Sequence, residues 1–223
     1  MSYQFDFSSV LPYSGMIAEG LGRTLVLTIV GTIFGLALGI FAGACRAWKV
    51  QPLSTIFRVY IELIRNTPFL VQLFFIFFGL PAIGVTMNAW TASILAMIIN
   101  LGAYSAEIVR AGIQATAKGQ IEAAESLAMT RFQVLRYVVL PPSLGRVWPA
   151  LCSQIIIVML GSSVCSQISM EDLTFAANFI QSRNFRSFEI YIVIAVLYLI
   201  LSVVIRALLL RLGRICFKGS DRV

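Results

Sequence analysis

The chain contains no histidine, so the commonest metal ligand and the commonest general base at neutral pH are both missing. Charge is scarce as well: 12% of residues are Asp, Glu, Lys or Arg, about half the ~25% usual in soluble domains. That leaves no water-facing surface for a globular fold of 223 residues. The four cysteines, Cys45, Cys152, Cys165 and Cys216, are scattered and form no CxxC pair. They indicate neither a zinc site nor a disulfide framework and read as small apolar packing residues. No GxxxxGK[ST] phosphate loop occurs, so this chain does not hydrolyse ATP in the usual way. The missing histidine, and the lack of any clustered Asp/Glu motif, argue against a membrane-embedded enzyme. Residues 1–11 lack the basic start of a secretory leader and read as part of a short polar arm covering residues 1–20.

What the chain does have is apolar length: 59% of its residues are hydrophobic and the mean hydropathy is +0.89. The expected fold is all-α, a single polytopic membrane bundle of about five spans. These cover roughly residues 21–44, 53–80, 89–112, Pro141-Pro142 to Gln167, and 188–210. In the first, Gly31, Gly35 and Gly39 recur every four residues and form a stripe suited to close helix approach. The second is interrupted by Arg65-Asn66-Thr67-Pro68. A proline at membrane depth frees a backbone carbonyl that protein or water must satisfy.

The net charge of +7 is not a nucleic-acid footprint, because the basic residues sit at the ends of apolar segments rather than on a soluble face. Arg46 and Lys49, then Lys118, Arg131 and Arg136, then Arg211, Arg214, Lys218 and Arg222 fall on one side of a five-span chain. The other side holds Arg183 and Arg186, close to Glu171, Asp172 and Glu189. The positive-inside rule then places the N-terminus outside. Residues 116–141 and the tail 211–223 fall in the cytoplasm, and residues 169–187 form an external loop.

The polar segment between the third and fourth spans has the makings of a capped helical hairpin. Good helix formers run from Gln120 to Leu127, with Glu122 and Glu125 expected in the first turns, where the helix dipole favours acid. Thr130-Arg131-Phe132-Gln133 fits a capping box. That predicts a break at Met129-Thr130 and a second short helix through about Val139, stopped by Pro141 and Pro142. Ala123, Ala124 and Ala128 carry little bulk, so one face could seat closely against a partner.

Polar groups inside the spans mark a path or a lock. Asn100, Tyr104 and Glu107 share one face of the third span. Glu107 has candidate ion partners in Arg110 and in Arg65, a pairing that would tie two helices together. Asn100 and Tyr104 are candidates for lining a substrate path, together with Thr67, Ser162 and Ser163. The two serines could equally bond back to their own helix.

Several segments resemble the permease subunits of bacterial ABC importers, and more narrowly the polar amino acid uptake family. Glu122-Ala123-Ala124 through Val138-Val139-Leu140-Pro141 is similar to that family's cytoplasmic coupling loop, with Ala128 standing where Gly is usual. Without that glycine the bend is expected to rest on the Thr130 cap. Arg65 to Leu73 resembles the family's Arg-Gly-Thr-Pro-Leu-Leu-Val-Gln segment, and Gly102 to Ile113 its Gly-Ala-Tyr-x-Ala-Glu-Ile-x-Arg-Gly stretch. Ser182-Arg183-Asn184-Phe185 and Phe188-Glu189-Ile190-Tyr191 resemble the start of its last helix. Where relatives commonly read Leu-Lys-Asp-Ser/Thr-Ser-Leu, this chain has Leu160 and Gly161 at the Lys and Asp positions.

The resemblance implies a type I importer permease in a bacterial inner membrane, working with several partners. These are cytoplasmic subunits that bind ATP and Mg, a second identical or homologous permease, and an extracytoplasmic amino-acid-binding protein. It assigns Glu122, Ala123, Ala124, Ala128, Thr130 and Arg131 to ATPase coupling, and no cofactor to the chain itself. An ion-coupled secondary transporter is the other transport reading; against it, no internal repeat is visible and Glu107 is the one acid near mid-membrane.

Overall fold

In a computed structural model that describes residues 5–217, all regular structure among the described residues is helical. A 3₁₀ turn at Phe7–Tyr13 feeds directly into α1, Ser14–Ala47. The Asp6 carboxylate starts the turn by accepting from the Ser8 amide at 3.0 Å. The arm expected over residues 1–20 is therefore mostly helix within its described part, and Met1 to Gln4 lie outside the described residues. Pro12 does not interrupt the helix because it falls just ahead of its first turn, where a missing N–H costs nothing.

Helix α2, Leu53–Arg65, meets the segment Phe69–Ile83, which opens with α3, Phe69–Phe74, at 112°. The sequence predicts one interrupted span here; the interruption is a sharp corner. Pro68 disfavours helical geometry at Thr67 and cannot donate across the break. The Gln72 amide donates instead to the stranded carbonyls of Ile64 (2.8 Å) and Thr67 (2.9 Å). Beyond α3 the helix widens into a π turn at Phe75–Gly79 and ends in a 3₁₀ turn at Leu80–Ile83.

Helix α4, Ala89–Gln114, is capped by Asn88, which accepts from the Thr91 amide at 2.8 Å. It runs parallel to α1. Gly31 faces Met97, Gly35 faces Leu101 and Gly39 faces Ser105, as the stripe implies, and Gly43 extends the contact to Ala106 and Val109. At Gly43 an added Cβ would lie 2.6 Å from the Ala106 carbonyl oxygen. Only glycine allows the two backbones to come that close.

The hairpin comprises α5, Lys118–Ser126, and the single turn α6, Arg131–Gln133. A π turn at Val134–Val139 then passes without a break into α7, Leu140–Gly161, and a 3₁₀ turn at Ser162–Ile168. The expected stop at Pro141-Pro142 is absent: the helix continues from Arg131 to Ile168. The widened turn shifts the hydrogen-bond register just ahead of the two residues that lack a donor.

Residues 169–187 hold a helix rather than an open loop. Asp172 caps α8, Leu173–Asn184, by accepting from the Phe175 amide at 2.8 Å. Leu173, Ala177 and Ile180 of α8 pack against Ile17 of α1 and against Ile190 and Ile194 of α9, Ser187–Cys216. Arg211 and Arg214 are thus helical, whereas Lys218 and Arg222 of the expected tail lie outside the described residues. Among the described residues, four helices are long and apolar enough to cross a membrane, and the bent pair makes five.

Candidate functional site

The α2–α3 corner, the middle of α4 and the C-terminal half of α7 line a cavity of about 310 Å³, within the range of small-molecule sites. Thr67, Asn100 and Tyr104, expected to line a path, all face it. Gln154, Ile157, Val158 and Gly161 supply the α7 wall. The Asn100 amide donates to Gln72 Oε1 at 3.0 Å, and Gln72 also bonds Thr67 Oγ1 at 3.0 Å. One buried amide therefore links the cavity floor on α4 to the corner. Gln72 and Gln154 were not singled out in the sequence, although the Leu-Val-Gln stretch contains the first.

Ser162 and Ser163 do not line this cavity. Their hydroxyls donate back to the carbonyls of Met159 (2.6 Å) and Leu160 (2.7 Å), within the same helical turn. The ion pair also differs from expectation. Glu107 accepts from Arg46 at 2.6 Å and from Arg110 Nε at 3.0 Å, while Arg65 lies over the Tyr104 ring, 5.6 Å from its centroid. The pair therefore ties α4 to α1, not to α2. Arg46 reads in sequence as a topology charge because its reach to Glu107 depends on the parallel packing of α1 and α4.

The hairpin carries the expected capping box: Thr130 Oγ1 accepts from the Gln133 amide (3.4 Å), and Gln133 Oε1 accepts from the Thr130 amide (2.8 Å). Ala128 itself adopts φ +55°, so the turn rests on a left-handed residue as well as on the cap. Helix α5 begins at Lys118, earlier than expected, so its first turn holds no acid and Glu125 sits in its last. The expected dipole support is absent. Ala124 points inward, packed with Ile113, Val134 and Val139, and is covered rather than presented. Glu122, Ala123, Thr130 and Arg131 face outward. Beside them stand two large apolar side chains, Leu127 (78% exposed) and Phe132 (70%), which are more exposed than apolar groups on a free polar loop need be.

A cavity midway along a bundle of spans, with a capped hairpin projecting from one end, is the arrangement of a transport subunit. Residues 35–214 match the family model described as binding-protein-dependent transport system inner membrane component, and the chain belongs to that family. It is 37% identical over 213 residues to the glutamine transport system permease protein of Escherichia coli strain K12, covering 95% of this chain and 97% of that one. It is 38% identical over 187 residues to the L-cystine transport system permease protein of Bacillus subtilis strain 168, covering 83% and 80%. A crystal structure of an amino acid ABC transporter with histidines superposes with a TM-score of 0.85 at 40% identity, covering 95% of this chain and 99% of that one. The inward-facing MetNI methionine ABC transporter shares the fold, with a TM-score of 0.80 at 21% identity.

Proposed function

We infer that this chain is the permease component of an ABC amino acid importer, forming half of the translocation path and taking up ATPase motion through the α5–α6 hairpin. The observation that carries the coupling role is the two-sided hairpin. Its inner face, Ala124 with Val134 and Val139, is locked to the bundle, while Leu127 and Phe132 stand exposed beside Glu122 and Arg131. A lever needs one rigid attachment and one free grip. The grip would belong to cytoplasmic subunits that hold ATP and Mg.

The remaining partners are a second permease of the same kind and an extracytoplasmic binding protein, with the N-terminus outside. Relatives named for glutamine and cystine transport support an amino acid cargo. The uncharged polar lining of the cavity, Thr67, Asn100, Tyr104 and Gln154, favours an uncharged side chain. An ion-coupled mechanism is disfavoured because Glu107 is already held by two arginines and is poorly placed to load and release a coupling ion.

Glu122→Lys is expected to leave the protein in the membrane and to lower ATP-driven uptake by about tenfold or more, a loss of at least ~1.4 kcal/mol of coupling. Leu127→Glu should act in the same direction. Wild-type uptake by both variants, with the ATPase still bound, would overturn coupling through this hairpin.

A further inference from the structure

Next to the first cavity lies a second, of about 490 Å³, and Tyr104 is part of the wall of both. The second lies on the hairpin side of the first. Arg46 ends α1, Glu107 is almost a turn beyond Tyr104 on α4, and α1 and α4 both finish at the hairpin. Its walls also differ in kind. The first cavity is uncharged, whereas the second presents Arg46, Glu62, Arg65 and Glu107.

Three of those charges are already engaged: Arg46 with Glu107 at 2.6 Å, and Glu62 with Arg58 at 3.1 Å. Arg65 makes no salt bridge among the described residues. Its guanidinium carbon lies over the Tyr104 ring, 5.6 Å from the centroid. A cation–π contact uses none of a guanidinium's N–H donors, so the fork that grips a carboxylate through two parallel hydrogen bonds is left available.

We propose that the second cavity is a distinct station for the carboxylate of the transported amino acid as it leaves the first cavity, with Arg65 as the receiving cation and the Tyr104 ring as the partition between the two. The proposal rests on the amino acid permease reading and adds a division of labour to it. The uncharged first cavity reads the side chain; the second reads the group that every free amino acid shares. Arg65 and Tyr104 move together in such a step, because displacing the ring to open the partition releases the guanidinium that rests on it.

The test uses the complete transporter, with its ATPases, second permease and binding protein, in phosphatidylcholine vesicles. The probe is radiolabelled L-glutamine or L-cystine, whichever the wild-type complex accumulates. Arg65→Gln should lower ATP-driven uptake about tenfold while equilibrium binding without nucleotide, measured with the binding protein left out, stays within about twofold. Arg65→Lys keeps the charge but not the fork and should recover part of the loss, to about three- to fivefold below wild type.

Unchanged uptake by Arg65→Gln overturns the proposal. So does a lysine variant as impaired as the glutamine one, which would mark Arg65 as a packing residue. A parallel loss of binding would place Arg65 in the first cavity instead. A defect seen only when phosphatidylglycerol is added to the vesicles would assign the station to a lipid phosphate and overturn it too. Failure of the wild-type complex to accumulate any amino acid would refute the permease reading itself, before a variant is examined.

Discussion

Two residues sit in states their own chemistry disfavours. Ala128 holds φ +55°, a region that costs a residue with a Cβ about 1–2 kcal/mol and glycine almost nothing. Ala128→Gly is therefore expected to stabilise the hairpin by about 1 kcal/mol, read as slower amide exchange over residues 118–133. An unchanged or faster exchange would mean that the capping box alone sets the turn. Asp172 is fully buried; its Oδ1 caps α8, but its Oδ2 has no hydrogen-bond partner among the described residues. Burial pushes its pKa up to about 7 from an ordinary 3.8. No salt bridge among the described residues reaches Asp172. The folded state thus keeps a proton that the unfolded chain has lost, so this group's effect on stability worsens as pH rises from about 4 to 7 and is constant above that. Thermal unfolding in detergent should fall by on the order of 5 °C between pH 5 and pH 8 for the wild type, and Asp172→Asn should flatten that slope. A slope that survives the substitution would place the titrating group elsewhere.

At the scale of elements, what holds the bundle is a close crossing rather than bulk burial. Gly43 meets backbone: its missing Cβ would touch the Ala106 carbonyl oxygen at 2.6 Å and Val109 Cβ at 3.0 Å. Gly22, on the same helix, has nothing within 4 Å of its missing Cβ among the described residues. Gly43→Ala should therefore destabilise the protein by about 1–3 kcal/mol, whereas Gly22→Ala should be neutral or stabilising by up to ~1 kcal/mol. Equal effects in thermal unfolding would remove the α1–α4 crossing from its central role.

This crossing was legible in advance because spacing four residues apart maps onto one helical face whatever the partner. The Thr130 box was legible for the same local reason. The α2–α3 corner was not: hydropathy reports how much apolar chain there is, not its direction. The passage of a helix through Pro141-Pro142 depends on a register shift upstream that has no composition signal. Arg46 meets Glu107 only once two helices lie parallel, and Arg65 faces the Tyr104 ring instead. Residues whose roles are set within one turn could be read from the chain; those set between helices could not.

For the molecule as a whole, coupling requires the hairpin end to face the cytoplasm, since a hairpin on the wrong side could not meet an ATPase. The end that bears the hairpin also bears Arg46, Lys49, Lys118, Arg131, Arg136, Arg211 and Arg214, an asymmetry that favours retention on the cytoplasmic side. Cys216 belongs to this end, because Gly213 packs on Trp148 of α7 and the Trp148 indole donates to the Leu209 carbonyl at 2.8 Å. It is also the one exposed cysteine among the described residues; Cys45, Cys152 and Cys165 are buried. The native chain thus carries its own topology probe. A membrane-impermeant maleimide should label Cys216 in inverted vesicles and leave it untouched in intact spheroplasts. Ser182→Cys, exposed on α8 at the opposite end, should show the reverse pattern when Cys216 is replaced by serine. Labelling of Cys216 from outside would invert the bundle, put the hairpin out of reach of any nucleotide-driven partner, and remove the mechanical basis of transport assigned to this chain.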